Sequence, residues 1–191
     1  MKSDNIIKKL EQTGAILEGH FLLTSGKHSN KYIEKFRILE NPETLDLVCK
    51  EMAELFNDRE ISIILSAAIG GILLCGGVGR YLGLKHIFAE RVDGKLCLRR
   101  GFDLPKGINV LIVEDIVTTG GSIFELVELS KEYDANVVGI CSLVDRSLNK
   151  IDFGHEYKSL LTMPIESWEK KDIPDWLNQI PITSPGRSGK K

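Results

Sequence analysis

The chain has 191 residues, 25 Lys and Arg against 27 Asp and Glu, a net charge of −2 at neutral pH and 42% apolar residues. That length suits one domain with a full core, or one domain with a small appendage. The near-neutral balance excludes a nucleic-acid binder driven by bulk electrostatics, and the longest apolar stretches fall far short of a membrane span. Residues 1–10 lead into no signal-peptide apolar region, so a cytoplasmic protein is expected, with no nucleic-acid and no membrane partner. Cys49, Cys75, Cys97 and Cys141 are widely spaced, without a Cys-x-x-Cys pair or a His cluster, which points to free thiols rather than to zinc.

In chain order, residues 3–17 read as a helix with Ile6, Ile7 and Leu10 on one face and Ser3 or Asp4 as cap. A short strand at 21–23, a polar turn at 24–29 and a second extended piece at 32–36 follow. Pro42 opens a helix whose apolar positions, Leu45, Val48, Cys49, Met52, Leu55 and Phe56, keep i, i+3, i+4 spacing. The pattern then alternates: strand 61–65, helix 70–81, strand 86–89, a strand or hairpin arm at 96–102, strand 110–113, helix 123–133, strand 137–144 and a last strand at 159–162. Strands alternating with helices imply an α/β fold, a parallel sheet flanked by helices, whose ligands bind beyond the carboxyl ends of the strands. Residues 181–191, rich in Pro, Ser, Gly, Lys and Arg, read as a flexible tail.

The most informative run is Val110-Leu111-Ile112-Val113-Glu114-Asp115-Ile116-Val117-Thr118-Thr119-Gly120-Gly121-Ser122. A buried strand ends in two carboxylates, and a turn of hydroxyls and glycines then opens a helix carrying Ile123, Leu126 and Val127. The first N–H groups of a helix lack partners and its dipole is positive there, so this turn suits an anion. Glu114 and Asp115 would repel a bare phosphate, whereas a sugar phosphate accompanied by Mg²⁺ satisfies both halves. Neither of the commoner phosphate-loop patterns, Gly-x-x-x-x-Gly-Lys-Ser/Thr or Gly-x-Gly-x-x-Gly, is present. A plain Gly/Thr-rich turn is the bland alternative.

Two further loops leave the same expected sheet edge. Ser66-Ala67-Ala68-Ile69-Gly70-Gly71 lets backbone approach a second anion, or serves tight strand–helix packing. Asp145-Arg146 presents a planar guanidinium for a carboxylate or a polar ring edge, or forms a surface pair. Between them Arg91, Lys95, Arg99 and Arg100 make either a basic clamp or a solvated strand face.

The run at 110–122 resembles the phosphoribosyl-pyrophosphate (PRPP) motif of the type I phosphoribosyltransferases. Phe21-Leu22-Leu23-Thr24-Ser25-Gly26-Lys27-His28-Ser29, Ala68-Ile69-Gly70-Gly71 and Asp145-Arg146 are similar, in order and spacing, to signatures of the orotate phosphoribosyltransferases, over residues 15 to about 165. The resemblance implies one phosphoribosyltransferase domain over 1–180: a parallel sheet with a small hood built largely from 1–40. It implies an Mg²⁺-dependent homodimer whose substrates are PRPP and orotate, with the metal held mainly by PRPP and pyrophosphate rather than by protein ligands. Glu114 and Asp115 would hold the ribose hydroxyls. Ile116, Val117, Thr118, Thr119, Gly120, Gly121 and Ser122 would bind PRPP, and Thr118 and Arg146 would contact orotate. Arg91, Lys95 and Asp115 would carry the catalytic roles. Two departures stand out. Relatives carry Arg-Lys-x-x-Lys-x-His-Gly in a mobile catalytic loop, where this chain keeps only the spacing of Arg91 and Lys95 and has Cys97 at the His position. Thr24 replaces a common Lys, leaving Lys27 and Lys35 to compensate. The rival readings are a purine-base phosphoribosyltransferase and a non-catalytic PRPP-sensing regulator.

Overall fold

The computed structural model describes residues 2–23 and 25–185, with side chains from Ile6 onward. The elements are α1 (Lys2–Gln12), β1 (Ile16–Leu22), β2 (His28–Ile33), α2 (Lys35–Leu39), α3 (Pro42–Glu54), β3 (Ile63–Ala67), α4 (Gly71–Leu82) and β4 (Lys85–Val92). They continue as β5 (Lys95–Leu98), β6 (Asn109–Val117), α5 (Gly121–Glu132), β7 (Asn136–Asp145), β8 (Tyr157–Thr162), α6 (Asp175–Asn178) and β9 (Ile182–Thr183). No helix among the described residues is long and apolar enough to cross a membrane. The chain divides into two compact units, Pro42–Met163 and Met1–Asn41 with Pro164–Lys191.

The unit Pro42–Met163 holds a six-stranded sheet in the order β5-β4-β3-β6-β7-β8, parallel throughout except for the edge pair β4–β5. Its central strands read as unbroken apolar runs because both faces are covered. Helices α3 and α4 cover one face with Val48, Met52, Leu74 and Val78. Helix α5 covers the other, where Ile123, Leu126 and Val127 pack on Leu65, Ala89, Val110 and Ile112. Each such aliphatic side chain contributes roughly 1.5–3 kcal/mol on burial. The expected strand 110–113 is longer, because the ladder to β7 continues through Glu114↔Ser142 and Ile116↔Val144 to Val117↔Asp145. Strands β4 and β5 form a hairpin over a two-residue turn, Asp93 (φ +48°) and Gly94 (φ +86°), the paired positive dihedrals that suit the strand twist. The arm expected at 96–102 therefore runs from Lys95 to Leu98.

In the other unit the expected helix 3–17 stops at Gln12. Gly14 adopts φ +70°, the N–H of Ala15 bonds Leu10 O at 2.9 Å, and that of Gly14 bonds Glu11 O at 3.0 Å. This is a Schellman cap, so Ile16 and Leu17 begin a strand instead. Ser3 and Asp4 stand inside the helix rather than capping it. The extended piece expected at 32–36 ends at Ile33, and buried Ile38 and Leu39 turn the following residues into α2. The sheet order is β2-β1-β9. Ile182 and Thr183, expected in the loose tail, pair in parallel with His20 and Phe21, while residues 186–191 lie outside the described residues.

The C-terminal segment is fastened to β2 by reciprocal backbone bonds between His28 and Trp168, both 2.8 Å, and by the Ser29 hydroxyl donating to Glu166 O at 2.8 Å. Beneath them lie two buried imidazoles. His20 Nδ1 faces Ile180 O at 3.2 Å, and because a carbonyl only accepts, that nitrogen carries the hydrogen. His20 Nε2 therefore accepts from His28 Nδ1–H at 2.7 Å. Burial first, then His20 and Lys170, hold His28 below its ordinary pKa. The folded chain thus binds this proton less readily than the unfolded chain, and stability falls as pH drops from about 6.5 through the lowered folded value. Melting temperatures recorded from pH 8 to pH 5 are expected to decline below pH 6.5, with a shallower decline in His28→Asn, whose side-chain amide keeps a donor toward His20. Equal slopes in both proteins would refute this assignment.

Candidate active site

Strands β3, β6 and β7 are adjacent and parallel, so the loops that follow them leave from one edge of the sheet. After β6, Thr118 and Thr119 are exposed, and Gly120 turns the chain at φ +78°, ψ 8° into α5. No side chain caps this helix, and its first internal bond runs from Phe124 N to Gly120 O at 3.0 Å. The N–H groups of Gly121, Ser122 and Ile123 therefore face outward, beside the hydroxyls of Thr118, Thr119 and Ser122. They border a cavity of about 250 Å³ lined by residues 116–123 together with Glu114 and Glu125. Gly120 is required on two counts: its backbone is left-handed, and a Cβ there would lie 2.5 Å from Phe153 Cε1. Phe153 is itself pinned between Phe124 and Tyr157, with ring centroids 5.0 and 5.1 Å away.

The two acids are both buried, at 7% and 6% exposure. Glu114 Oε1 accepts the N–H of Asp115 at 2.9 Å, and Asp115 Oδ1 accepts that of Ile116 at 2.5 Å. As neighbours on a strand they project to opposite faces. Glu114 lines the cradle and Asp115 does not. Expected together as a ribose clamp, they reach the sheet edge from two sides.

In the loop after β3, Gly70 and Gly71 begin α4, again without a side-chain cap, and the Ala68–Ile69 peptide is cis. Ser66 is wholly buried beside the Cys75 thiol, so its hydroxyl faces the core, while Ile69 is the exposed side chain of this loop. In the loop after β7, the Asp145 carboxylate accepts the N–H of Ser147 at 2.8 Å. The Arg146 N–H donates to Val117 O at 2.8 Å, tying the loop after β7 to the strand that carries the acids. Thr24 lies outside the described residues. Lys27 pairs with Glu169 at 3.5 Å.

The basic hairpin departs from the four-residue spacing that suggested a joint clamp. Arg91 pairs across the strands with Leu96, and Val92 with Lys95. Cross-strand partners share a face, so Arg91 and Lys95 project to opposite sides. Arg91 lies on the α5 side, where it meets Glu125. Cys97 sits on the other face, its thiol directed at Glu90 O, 3.5 Å away. Arg100 pairs with Glu90 at 2.9 Å. Glu125 was not legible as a site residue: its place in α5, one turn beyond Gly121, was visible, but its partner lies 34 residues away. The remaining thiols are inert, since burial pushes Cys49 and Cys75 up to about 12 and raises Cys141 as well. A larger cavity, about 920 Å³, runs along α3, α4 and β4 past Leu45, Ile72, Leu73 and Phe102. Its lining, which also includes Glu43, Asp46, Arg80 and His86, lacks the run of hydroxyls and glycines found at residues 118–122, so the smaller cradle is the candidate site.

A parallel sheet with an acid pair ahead of an uncapped, glycine-turned helix defines the class: a phosphoribosyltransferase fold. The phosphoribosyl transferase domain family matches residues 37–171. Orotate phosphoribosyltransferase from Caldicellulosiruptor bescii is 44% identical over 186 residues, 97% of this chain and 98% of that protein. The Thermotoga maritima protein of the same name is 46% identical over 182 residues, 95% and 97% of the two chains. The crystal structure of orotate phosphoribosyltransferase from Aeropyrum pernix superposes with a TM-score of 0.71 at 25% identity, covering 83% of this chain and 93% of that one. An adenine phosphoribosyltransferase from Thermoanaerobacter pseudethanolicus shares the fold at a TM-score of 0.60 and 20% identity, covering 70% and 88%. The chain belongs to the phosphoribosyltransferase domain family and, within it, to the orotate phosphoribosyltransferases.

Gly120→Ala should weaken binding of a ribose 5-phosphate probe, measured by calorimetry, by about five- to 150-fold. The left-handed backbone and the Phe153 clash force the loop to move, at a cost of order 1–3 kcal/mol. Unchanged affinity would remove this turn from the site.

Proposed function

We propose that this protein transfers the phosphoribosyl group of PRPP to orotate, giving orotidine 5′-monophosphate and pyrophosphate, a step of pyrimidine nucleotide synthesis. The observation that carries this reading is the cradle of outward N–H groups at residues 121–123 beside Glu114, in a chain whose near-full-length relatives are named orotate phosphoribosyltransferases. The cradle and the hydroxyls of Thr118, Thr119 and Ser122 take the 5-phosphate. Glu114 takes a ribose hydroxyl from the cradle side and Asp115 another from the opposite side of the strand end, and Thr118 and Arg146 take orotate. Arg91 approaches the leaving group from the α5 side of the hairpin, and Lys95 from its other face.

A ring nitrogen of orotate, its proton lost to water, bonds to C1 of the ribose as the bond from C1 to the pyrophosphate oxygen breaks, and that electron pair departs with pyrophosphate. The transition state has oxocarbenium character, as in glycoside chemistry. No covalent nucleophile is needed. The protein contributes alignment of the two reactants and positive charge where pyrophosphate develops its own. Mg²⁺ would be carried in by PRPP, with Glu114 in the cradle wall as a nearby carboxylate, and would add charge stabilisation to the leaving group. A homodimer is the expected assembly, and the apolar groove flanked by exposed Leu73 on α4 supports it.

Loss of orotate absorbance on mixing with PRPP and Mg²⁺ tests the reaction, with adenine and hypoxanthine as the comparison bases. Orotate alone should be consumed; turnover of a purine base instead would overturn the substrate assignment. A hydrogen bond to a charged group is worth about 1.5–3 kcal/mol, so Thr119→Ala and Asp115→Asn are each expected to cut kcat/KM at least tenfold. Lys95→Ala should lower kcat more than it raises KM for PRPP. Full activity in the first two variants, both folded, would sink the site assignment.

A further inference from the structure

Glu125 holds more contacts than a helix-surface carboxylate ordinarily does. Its Oε2 accepts from Arg91 Nη1 at 2.8 Å and its Oε1 from Arg91 Nη2 at 2.7 Å. The backbone N–H of Leu96 faces the same carboxylate and favours its charged form. Arg91 and Leu96 are cross-strand partners, so one carboxylate on α5 grips one arm of the hairpin and faces the other. Arg91 Nη1 also donates to Gly94 O at 2.5 Å, closing the turn. Glu125 belongs as well to the lining of the phosphate cradle, one helical turn beyond Gly121.

A carboxylate in the wall of an anion site opposes the ligand by simple repulsion. Ion pairs as exposed as this one, with side chains 47% and 39% accessible, add little to stability. Fold stability therefore gives no reason to place Glu125 here; delivery of Arg91 does. Of the five N–H donors of a guanidinium, these contacts use three. The Nε–H and one hydrogen on Nη2 remain for a ligand.

We propose that Glu125 is a positioning residue, whose carboxylate holds the Arg91 guanidinium at the rim of the cradle to meet the departing pyrophosphate of PRPP. The inference rests on the reading of Arg91 as a leaving-group contact. Since charge grows on pyrophosphate as the bond breaks, the effect belongs in kcat rather than in KM.

The test is steady-state kinetics of the full chain with PRPP varied at fixed Mg²⁺ and orotate, for Glu125→Ala, Glu125→Gln, Arg91→Ala and the Arg91→Ala/Glu125→Ala double variant. Glu125→Ala and Glu125→Gln should each lower kcat about five- to tenfold, with KM for PRPP changing less than about twofold. In the Arg91→Ala background, Glu125→Ala should change kcat by less than about twofold, because the two residues act as one unit. Glutamine keeps an oxygen for the Leu96 N–H but cannot take both guanidinium nitrogens, so a carboxylate that merely fastened the hairpin would leave Glu125→Gln at the parent rate. That result, or effects of the two single variants that multiply in the double, would overturn the proposal. If Arg91→Ala matches the parent, the Arg91 role and this inference fall together while orotate transfer stands. If the parent consumes a purine base instead of orotate, the substrate assignment falls and the same four-variant cycle is read from that turnover; if it consumes no base, the proposed reaction and this inference fall together.

Discussion

Strand β6 is hydrogen-bonded to a parallel neighbour on each side, to β3 from Val110 to Val113 and to β7 from Asn109 to Val117. Val110, Leu111, Ile112 and Val113 are wholly buried between α5 on one face and α3 and α4 on the other. A strand clamped in this way cannot slip, because a shift of one residue would exchange the contents of both faces. Its carboxyl end is therefore a fixed platform. The acids, the Gly120 turn and the N-terminus of α5 follow it in sequence, and the Arg146 N–H is hung from its Val117 carbonyl.

Charge is arranged around that platform in opposed pairs. The outward N–H groups at the start of α5 invite an anion, while Glu114 beside them suits hydroxyls or a cation carried by the same ligand. Glu125, a second carboxylate in the same wall, is neutralised by Arg91, whose bidentate contact in turn holds Glu125 below the ordinary carboxylate range. A sugar bearing a phosphate at one end and a pyrophosphate at the other fits such alternation better than a lone phosphate does. The hydroxyls and backbone donors of the cradle sit on a helix terminus and a strand end rather than on a free loop, which favours a preformed geometry.

The parts legible in the sequence were those written in local order. The run from Val110 to Ser122 carries strand, acids, turn and helix start in consecutive residues, and the alternation of strands and helices determined the sheet. Residues 3–17 misled because the helix marked by Ile6, Ile7 and Leu10 was carried past Gly14, whose left-handed conformation ends it. What escaped was long-range pairing. Nothing near Ile182 marks it as a strand partner of His20, and nothing near His28 announces Trp168. Arg91 and Lys95 were grouped by spacing, but a two-residue turn between them inverts one face relative to the other. Glu125 was invisible as a site residue because its meaning depends on a hairpin folded against it from 34 residues away.

The central claim is that a phosphate ester binds on the backbone N–H groups that open α5. Amide chemical shifts of ¹⁵N-labelled protein titrated with PRPP and Mg²⁺ test it most directly. The account predicts saturable shifts largest at Thr119, Gly120, Gly121, Ser122 and Ile123, with smaller ones at Glu114 and Arg91. Shifts confined to the groove along α3 and α4, with residues 119–123 unmoved at saturation, would contradict it.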